Sequence, residues 1–298
     1  MAGIDSAPPH ASRSHVVTIT LLLLLIAAYL TVCGLFYFKQ DQMVFPAPTE
    51  YAKATPKDKG IDFEDLHIPV NGSEQIHAWW IPAASSSEKV LLVFHGNGYV
   101  LEQGIAGNYP DDIEFVPFHR LGTNLLLIDY RGYGSSSPGP ANENRVYEDA
   151  RAAFTYLTVQ RKIPGKDVIL VGRSIGTGPA TEMAKEHQEA GGLVLLSPFT
   201  STTDIARTLR FLRLLPLTFL SHNQFDNFSK IDSVHIPILM VVGTDDTLTP
   251  PAMAQTLFEK ANQPKRLYQV PGADHNGLIR VGGQKLLDEI TVFLQTIH

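Results

Sequence analysis

The first long feature in the hydrophobic pattern has no charged interruption at all. From Val16 to Phe38, VVTITLLLLLIAAYLTVCGLFYF runs 23 positions without a charged residue. At about 1.5 Å per residue a helix of that length covers roughly 34 Å, enough to cross a hydrocarbon core of about 30 Å. The run is too long for a signal peptide and no small-residue cleavage pattern follows it, so the expectation is a single-pass transmembrane anchor over 16–38. Tyr29, Phe36, Tyr37 and Phe38 place aromatics near one interface and Lys39 closes the segment. Residues 1–15 then form an N-terminal tail. Residues 39–60, rich in proline and lysine, read as a linker.

Past residue 60 the period changes. FEDLHIPV and SEQIHAWWIPA alternate apolar and polar positions around Asn71-Gly72, which predicts a β-hairpin. All-apolar runs then alternate with stretches of helical spacing. KVLLVFHGNG, NLLLIDYRGYG, DVILVGRS, GLVLLSPF, IPILMVVGTDD and KRLYQVPGADH predict six buried strands. RVYEDARAAFTYLTVQ, the stretch from about Gly178 and the closing GQKLLDEITVFLQTI predict helices. Short apolar strands alternating with helices specify an α/β domain over 61–298, a mostly parallel central sheet with helices on both faces. In such sheets, chemistry gathers at the carboxyl ends of the strands.

Composition narrows the partners. A net charge of −6 leaves no basic footprint, so nucleic acid is not an expected partner. Cys33 is the single cysteine, which excludes an intramolecular disulfide. No cysteine or histidine cluster has zinc-ligand spacing, and neither a metal nor a cofactor is expected.

Candidate chemistry starts at GRSIG, where Ser174 stands between Gly172 and Gly176. Residue frequencies alone produce G-x-S-x-G in roughly one chain in ten of this length, so context supplies the specificity. A buried strand runs into the motif and a helix runs out of it, as a nucleophile elbow requires. A serine nucleophile needs a base, and the base needs an orienting acid. Asp245 and Asp246 follow the fifth of these strands and His275 follows the sixth. The order serine, acid, histidine results, with every member at a strand's carboxyl end. The spacing of chemistry-bearing groups does not choose between the two neighbouring aspartates.

Together, VFHGNG, DYRGYGSSSP, GRSIGTGPA, LLSPFTS, GTDDTLTP and GADHN make the chain from about Phe45 onward resemble the α/β-hydrolase superfamily. More narrowly it is similar to the membrane-anchored, monoacylglycerol-lipase and serine-aminopeptidase-like branch. The resemblance places the acid three residues after the glycine of G-x-x-D, which selects Asp246 over Asp245. An oxyanion hole should then come from two backbone N–H groups, Ile175 directly after the nucleophile and Asn97 in the HGNG loop. His95 is expected to order that loop. Asp129, Tyr130, Arg131 and Tyr133 are expected to pin the loop after their own strand.

The expected activity is that of a serine hydrolase acting on a small acyl substrate. Ser174 attacks the carbonyl, His275 takes its proton and Asp246 orients the imidazole. Residues 200–230 read as a small helical cap, in which Arg207, Arg210 and Arg213 recur among Phe211, Leu212, Leu214, Leu215, Leu217, Phe219 and Leu220. Its apolar face either lines an acyl pocket or touches lipid headgroups, or the cap is merely packed with its arginines in water. An anchor and an apolar cap together suggest a lipid-derived ester or thioester. A peptidase and a catalytically silent, membrane-tethered scaffold are the alternatives. Counting basic residues places the catalytic domain in the cytoplasm. Resemblance places it on the lumenal or periplasmic side, which is the side preferred.

Overall fold

Eight short stretches pair into one sheet in the computed structural model, which describes residues 13–50, 53–103 and 115–297. The tail expected over residues 1–15 lies almost wholly outside the described residues. β1 (Glu64–Asn71) and β2 (Glu74–Ile81) form an antiparallel hairpin. Its two-residue turn is Gly72-Ser73, one step later than Asn71-Gly72, with Gly72 at a φ of 45°. Then come β3 (Val90–Phe94), β4 (Asn124–Ile128), β5 (Val168–Arg173), β6 (Gly192–Leu196), β7 (Ile238–Gly243) and β8 (Lys265–Val270). Their order across the sheet is β1-β2-β4-β3-β5-β6-β7-β8. β2 runs antiparallel to β4, and every pairing among β3 to β8 is parallel.

All residues of β3, β6 and β7 are buried. Strands covered on both faces need apolar residues at every position, which is why they read as continuous runs. Chain order reverses at β3, with β4 on one side and β5 on the other. The carboxyl ends of β3 and β5 therefore flank the crevice where such sheets place their ligands.

Among the described residues the helices are α1 (Arg13–Val44), α2 (Phe115–His119), α3 (Glu143–Thr155), α4 (Thr177–Glu186), α5 (Thr202–Thr208), α6 (Leu217–Leu220), α7 (Asn227–Lys230), α8 (Pro251–Lys260) and α9 (Leu278–Gln295). Asn142 caps α3 by accepting the Arg145 N–H at 3.1 Å. α9 turns sharply at Gly283, whose φ is 49°. No pattern in the sequence announced α8, because only Ala254 and Leu257 of it are buried. The segment expected as a cap is a set of short turns, α5, a 3₁₀ turn at Leu212–Leu214, α6 and α7. Pro216 keeps them from merging into longer helices.

The chain divides into two units, one ending at Gln40 and one from Asp41 to His298. Among the described residues α1 is the one helix long and apolar enough to cross a membrane. It runs past the expected end at residue 38 to Val44, shortly before Pro46, so the linker expected over 39–60 begins as helix.

Two buried polar networks hold the loops at the carboxyl ends of β3 and β4. Arg131, almost wholly buried, gives its Nε and backbone N–H to Asp149 on α3. Its Nη1 donates to Glu74 at 2.6 Å and its Nη2 to Glu148 at 2.6 Å. One guanidinium thus ties the loop after β4 to α3 and to the start of β2. In the second network the Asp129 carboxylate accepts the Leu101 N–H at 3.1 Å and faces His77 at 3.4 Å and His95 at 3.5 Å. His95 donates Nδ1–H to the Gly96 carbonyl at 2.7 Å, and its own carbonyl accepts the Tyr130 hydroxyl at 3.1 Å. Burial drives the His95 imidazole down from an ordinary value near 6.5 to about 4, which keeps it neutral.

Both networks predict stability effects. Asp149→Ala leaves the buried Nε and backbone N–H of Arg131 without acceptors while Glu74 and Glu148 still pair its charge. It should cost about 2–4 kcal/mol, lowering the melting temperature by about 5–10 °C; unchanged melting would contradict the clamp. The unfolded chain protonates His95 below pH 6.5 whereas the folded chain resists until about 4. The contribution of His95 to stability is therefore complete above pH 6.5 and drains as pH falls from there to 4, by roughly 3 kcal/mol at most. Melting curves between pH 7 and 4.5 should fall less steeply for His95→Gln than for the native chain, and parallel slopes would contradict this origin.

Candidate active site

β5 leads straight into a single 3₁₀ turn, Ser174–Gly176, and then into α4. That abrupt change of direction sets Ser174 at a φ of 51°, in the left-handed region that side chains rarely adopt. Its glycine neighbours are required by distance. A Cβ on Gly172 would lie 2.4 Å from the Gly176 carbonyl oxygen, and one on Gly176 would lie 2.1 Å from the Phe94 carbonyl oxygen at the end of β3. Only bare backbone lets β3, β5 and the turn approach so closely. Thr177 then donates its hydroxyl to the Ser174 carbonyl at 2.7 Å and braces the turn.

The partners arrive from the next two loops. His275, in the loop after β8, places Nε2 2.9 Å from Ser174 Oγ. Its Nδ1 lies 2.8 Å from Oδ2 of Asp246, which follows β7. The other oxygen of Asp246 accepts the backbone N–H groups of Leu248 at 3.0 Å and Thr249 at 2.8 Å. Burial alone would raise the Asp246 carboxyl, but the bonds from His275 and Thr249 outweigh it and hold the group below its ordinary value. Asp245 points to solvent and accepts the Thr244 hydroxyl at 2.9 Å. Burial and orientation thus separate two aspartates that spacing left equivalent.

Thr249 was not singled out from the sequence. Its hydroxyl donates to Asp246 Oδ2 at 2.8 Å and stands 3.2 Å from His275 Nδ1. The signal was present as a hydroxyl residue three positions after an aspartate, the spacing of a side-chain-closed turn. Arg173 adds a hydrogen bond from its guanidinium to the Asn276 carbonyl at 3.3 Å, bracing the histidine loop.

Across the crevice the loop after β3 passes beside the serine, with a Cβ on Gly96 standing 3.7 Å from Ser174 Cβ. Asn97 follows with its side chain exposed. Ile175 is the second residue of the 3₁₀ turn, a position whose backbone N–H has no carbonyl acceptor within the helix. Tyr130, Arg131, Tyr133 and Asp129 are all buried, packing the wall behind this loop.

Among the described residues, His77, Glu102 and Asp129 are the group with donor atoms close enough to hold a metal ion, within 4.8 Å of one another. His77 also meets Asp65 at 2.7 Å through Nε2. Burial pushes the Glu102 and Asp129 carboxyls up, whereas the neighbouring carboxylates raise His77 against its burial.

Comparison with known proteins agrees with this architecture. A family model described as the alpha/beta hydrolase fold matches residues 89–223, from β3 through the serine turn into the segment after β6. An uncharacterised protein of Mycobacterium tuberculosis is 33% identical over 232 residues, covering 77% of this chain and 78% of its own. The human alpha/beta hydrolase domain-containing protein 17B is 30% identical over 214 residues, covering 71% of this chain and 68% of its own. Among solved structures, an esterase from Pyrococcus furiosus superposes with a TM-score of 0.68 at 20% identity, covering 84% of this chain and 97% of its own. An alpha-beta hydrolase from Vibrio vulnificus reaches a TM-score of 0.69 at 20% identity, covering 87% and 93%. Fold, motif order and relatives converge, and the chain belongs to the α/β-hydrolase family.

Proposed function

We propose that this protein is a serine hydrolase that cleaves carboxylic esters through an acyl-enzyme on Ser174. The observation that supports it is the continuous hydrogen-bonded chain from Ser174 Oγ through the His275 ring to Asp246. In this reading Ser174 Oγ attacks the ester carbonyl and passes its proton to His275 Nε2. Asp246, ionised and buried, holds the Nδ1–H tautomer and stabilises the imidazolium, while the Thr249 hydroxyl keeps the carboxylate aimed. The oxyanion receives the Ile175 and Asn97 N–H groups. His275 returns its proton to the leaving alcohol, then takes one from a water that attacks the acyl-enzyme. Release of the carboxylic acid gives the proton back to Ser174. No cofactor enters the cycle.

α1 anchors this domain to a membrane as a single span. An anchored hydrolase meets bilayer-borne acyl compounds at high local concentration, so the substrate class is a lipid-derived ester. The lumenal or periplasmic side is the placement carried forward from the resemblance.

Two measurements on detergent-solubilised full-length protein test this. Asp246→Asn should lower kcat about 10⁴-fold and Ser174→Ala should abolish both turnover and labelling by a fluorophosphonate. A well-folded native chain that takes no label would instead favour a silent scaffold. Monoacylglycerols should be turned over faster than short soluble esters of the same alcohol, and equal or better turnover of the short esters would remove the lipid preference.

A further inference from the structure

The segment between β6 and β7 has two apolar faces, and only one of them packs. Leu212, Leu215 and Leu217 are buried. Between them, Phe211 is 69%, Leu214 78% and Phe219 88% exposed, with Leu209 also turned outward. Single exposed apolar residues are commonplace on protein surfaces. Several large ones bared within one short stretch form a patch that calls for an occupant.

Charge indicates which occupant. From Ile205 to Phe225 the chain has three arginines and no aspartate or glutamate, although its net charge is −6. Arg207 is engaged by Asp204 at 3.0 Å and by the Thr218 hydroxyl at 3.1 Å. Arg213 donates its Nε–H to the Arg207 carbonyl at 2.6 Å, and both it and Arg210 are exposed among the bare apolar side chains. Phenylalanine and leucine beside arginine suit a bilayer interface, where rings and aliphatic chains enter the acyl boundary and guanidinium groups stay at the phosphates. The same chain carries α1, whose span would hold the other unit within reach of a lipid surface.

We infer that the 209–219 segment docks onto an anionic membrane surface, burying Phe211, Leu214 and Phe219 among the acyl chains with Arg210 and Arg213 on the lipid phosphates. The inference rests on reading α1 as an anchor; it does not require Ser174 to be a nucleophile. The segment leaves the sheet at the carboxyl end of β6, beside the β5 end that carries Ser174. Docking there turns the rim bearing the serine toward the lipid.

The test is tryptophan fluorescence of full-length Phe219→Trp in phosphatidylcholine vesicles with and without phosphatidylglycerol. The native tryptophans, Trp79 and Trp80, are buried and supply the spectrum to subtract. The added emission should be blue-shifted and quenched about twofold or more by bromines on the lipid acyl chains. Adding Arg210→Glu and Arg213→Glu should cut that quenching in the anionic vesicles. Leu214→Trp provides the same reading if the first variant does not fold, and turnover of a soluble ester should match the native chain in each. Water-exposed emission from protein that floats with the vesicles would overturn the docking and leave the anchor standing. Protein that does not float with vesicles would overturn both. A blue-shifted signal insensitive to the bromines would mean that another protein surface, a second copy of this chain included, covers the face, and would also overturn it.

Discussion

Three backbone segments meet at the base of the serine turn more closely than any Cβ permits. The carbonyl of Phe94 at the end of β3 occupies the space a side chain on Gly176 would need, and the carbonyl of Gly176 does the same for Gly172. This contact forces β5 to break into a helix within a single turn, and it sets Ser174 in a left-handed conformation with its hydroxyl above the sheet. The strain is tolerable because the turn is held on both sides by strands buried on both faces. Without that close approach, no later loop could bring a histidine to the hydroxyl.

The remaining geometry follows from sheet direction. Because β5, β7 and β8 are parallel, Ser174, Asp246 and His275 emerge at the same edge although the chain separates them widely. Each receives local bracing: Thr177 on the serine turn, Thr249 on the carboxylate, Arg173 on the histidine loop. Behind the crevice, Arg131 and Asp129 perform the same service for the loops after β4 and β3, holding buried charge and the neutral His95 imidazole against a fixed backbone. The bared apolar side chains of the 209–219 segment sit on the outer side of this arrangement, where packing has no use for them.

Much of this was legible in the sequence, for definite reasons. All eight strands were readable, β3 to β7 because two-sided burial demands apolar runs. β1 and β2 were readable from alternation about a turn, although β2 is buried continuously from Ile76 to Ile81. β8, expected as a buried strand, buries only Val270. The serine, aspartate and histidine positions were readable because each follows a strand. What stayed hidden depended on three-dimensional neighbours. α8 buries too narrow a stripe to show a period. Spacing alone did not separate Asp245 from Asp246, which the resemblance selected; they differ in which way the loop turns them. Thr249 acquires its meaning only when the loop folds back over Asp246. Helix α1 continues beyond the apolar run that Lys39 closes, to Val44 shortly before Pro46, because a helix end is set by backbone geometry and not by the first charge. The segment read as a small helical cap is built of short helices, α5, α6 and α7, with Pro216 standing between the first two.

The central claim is that the hydroxyl of Ser174 forms a covalent bond with the acyl group, and rapid-quench mass spectrometry during turnover of an activated ester tests it most directly. The account predicts a burst of alcohol release of about one equivalent per chain, with the acyl mass on the peptide that contains Ser174. Steady turnover without a burst, and with no acylated peptide at any quench time, or an acyl group located on another residue, would contradict it.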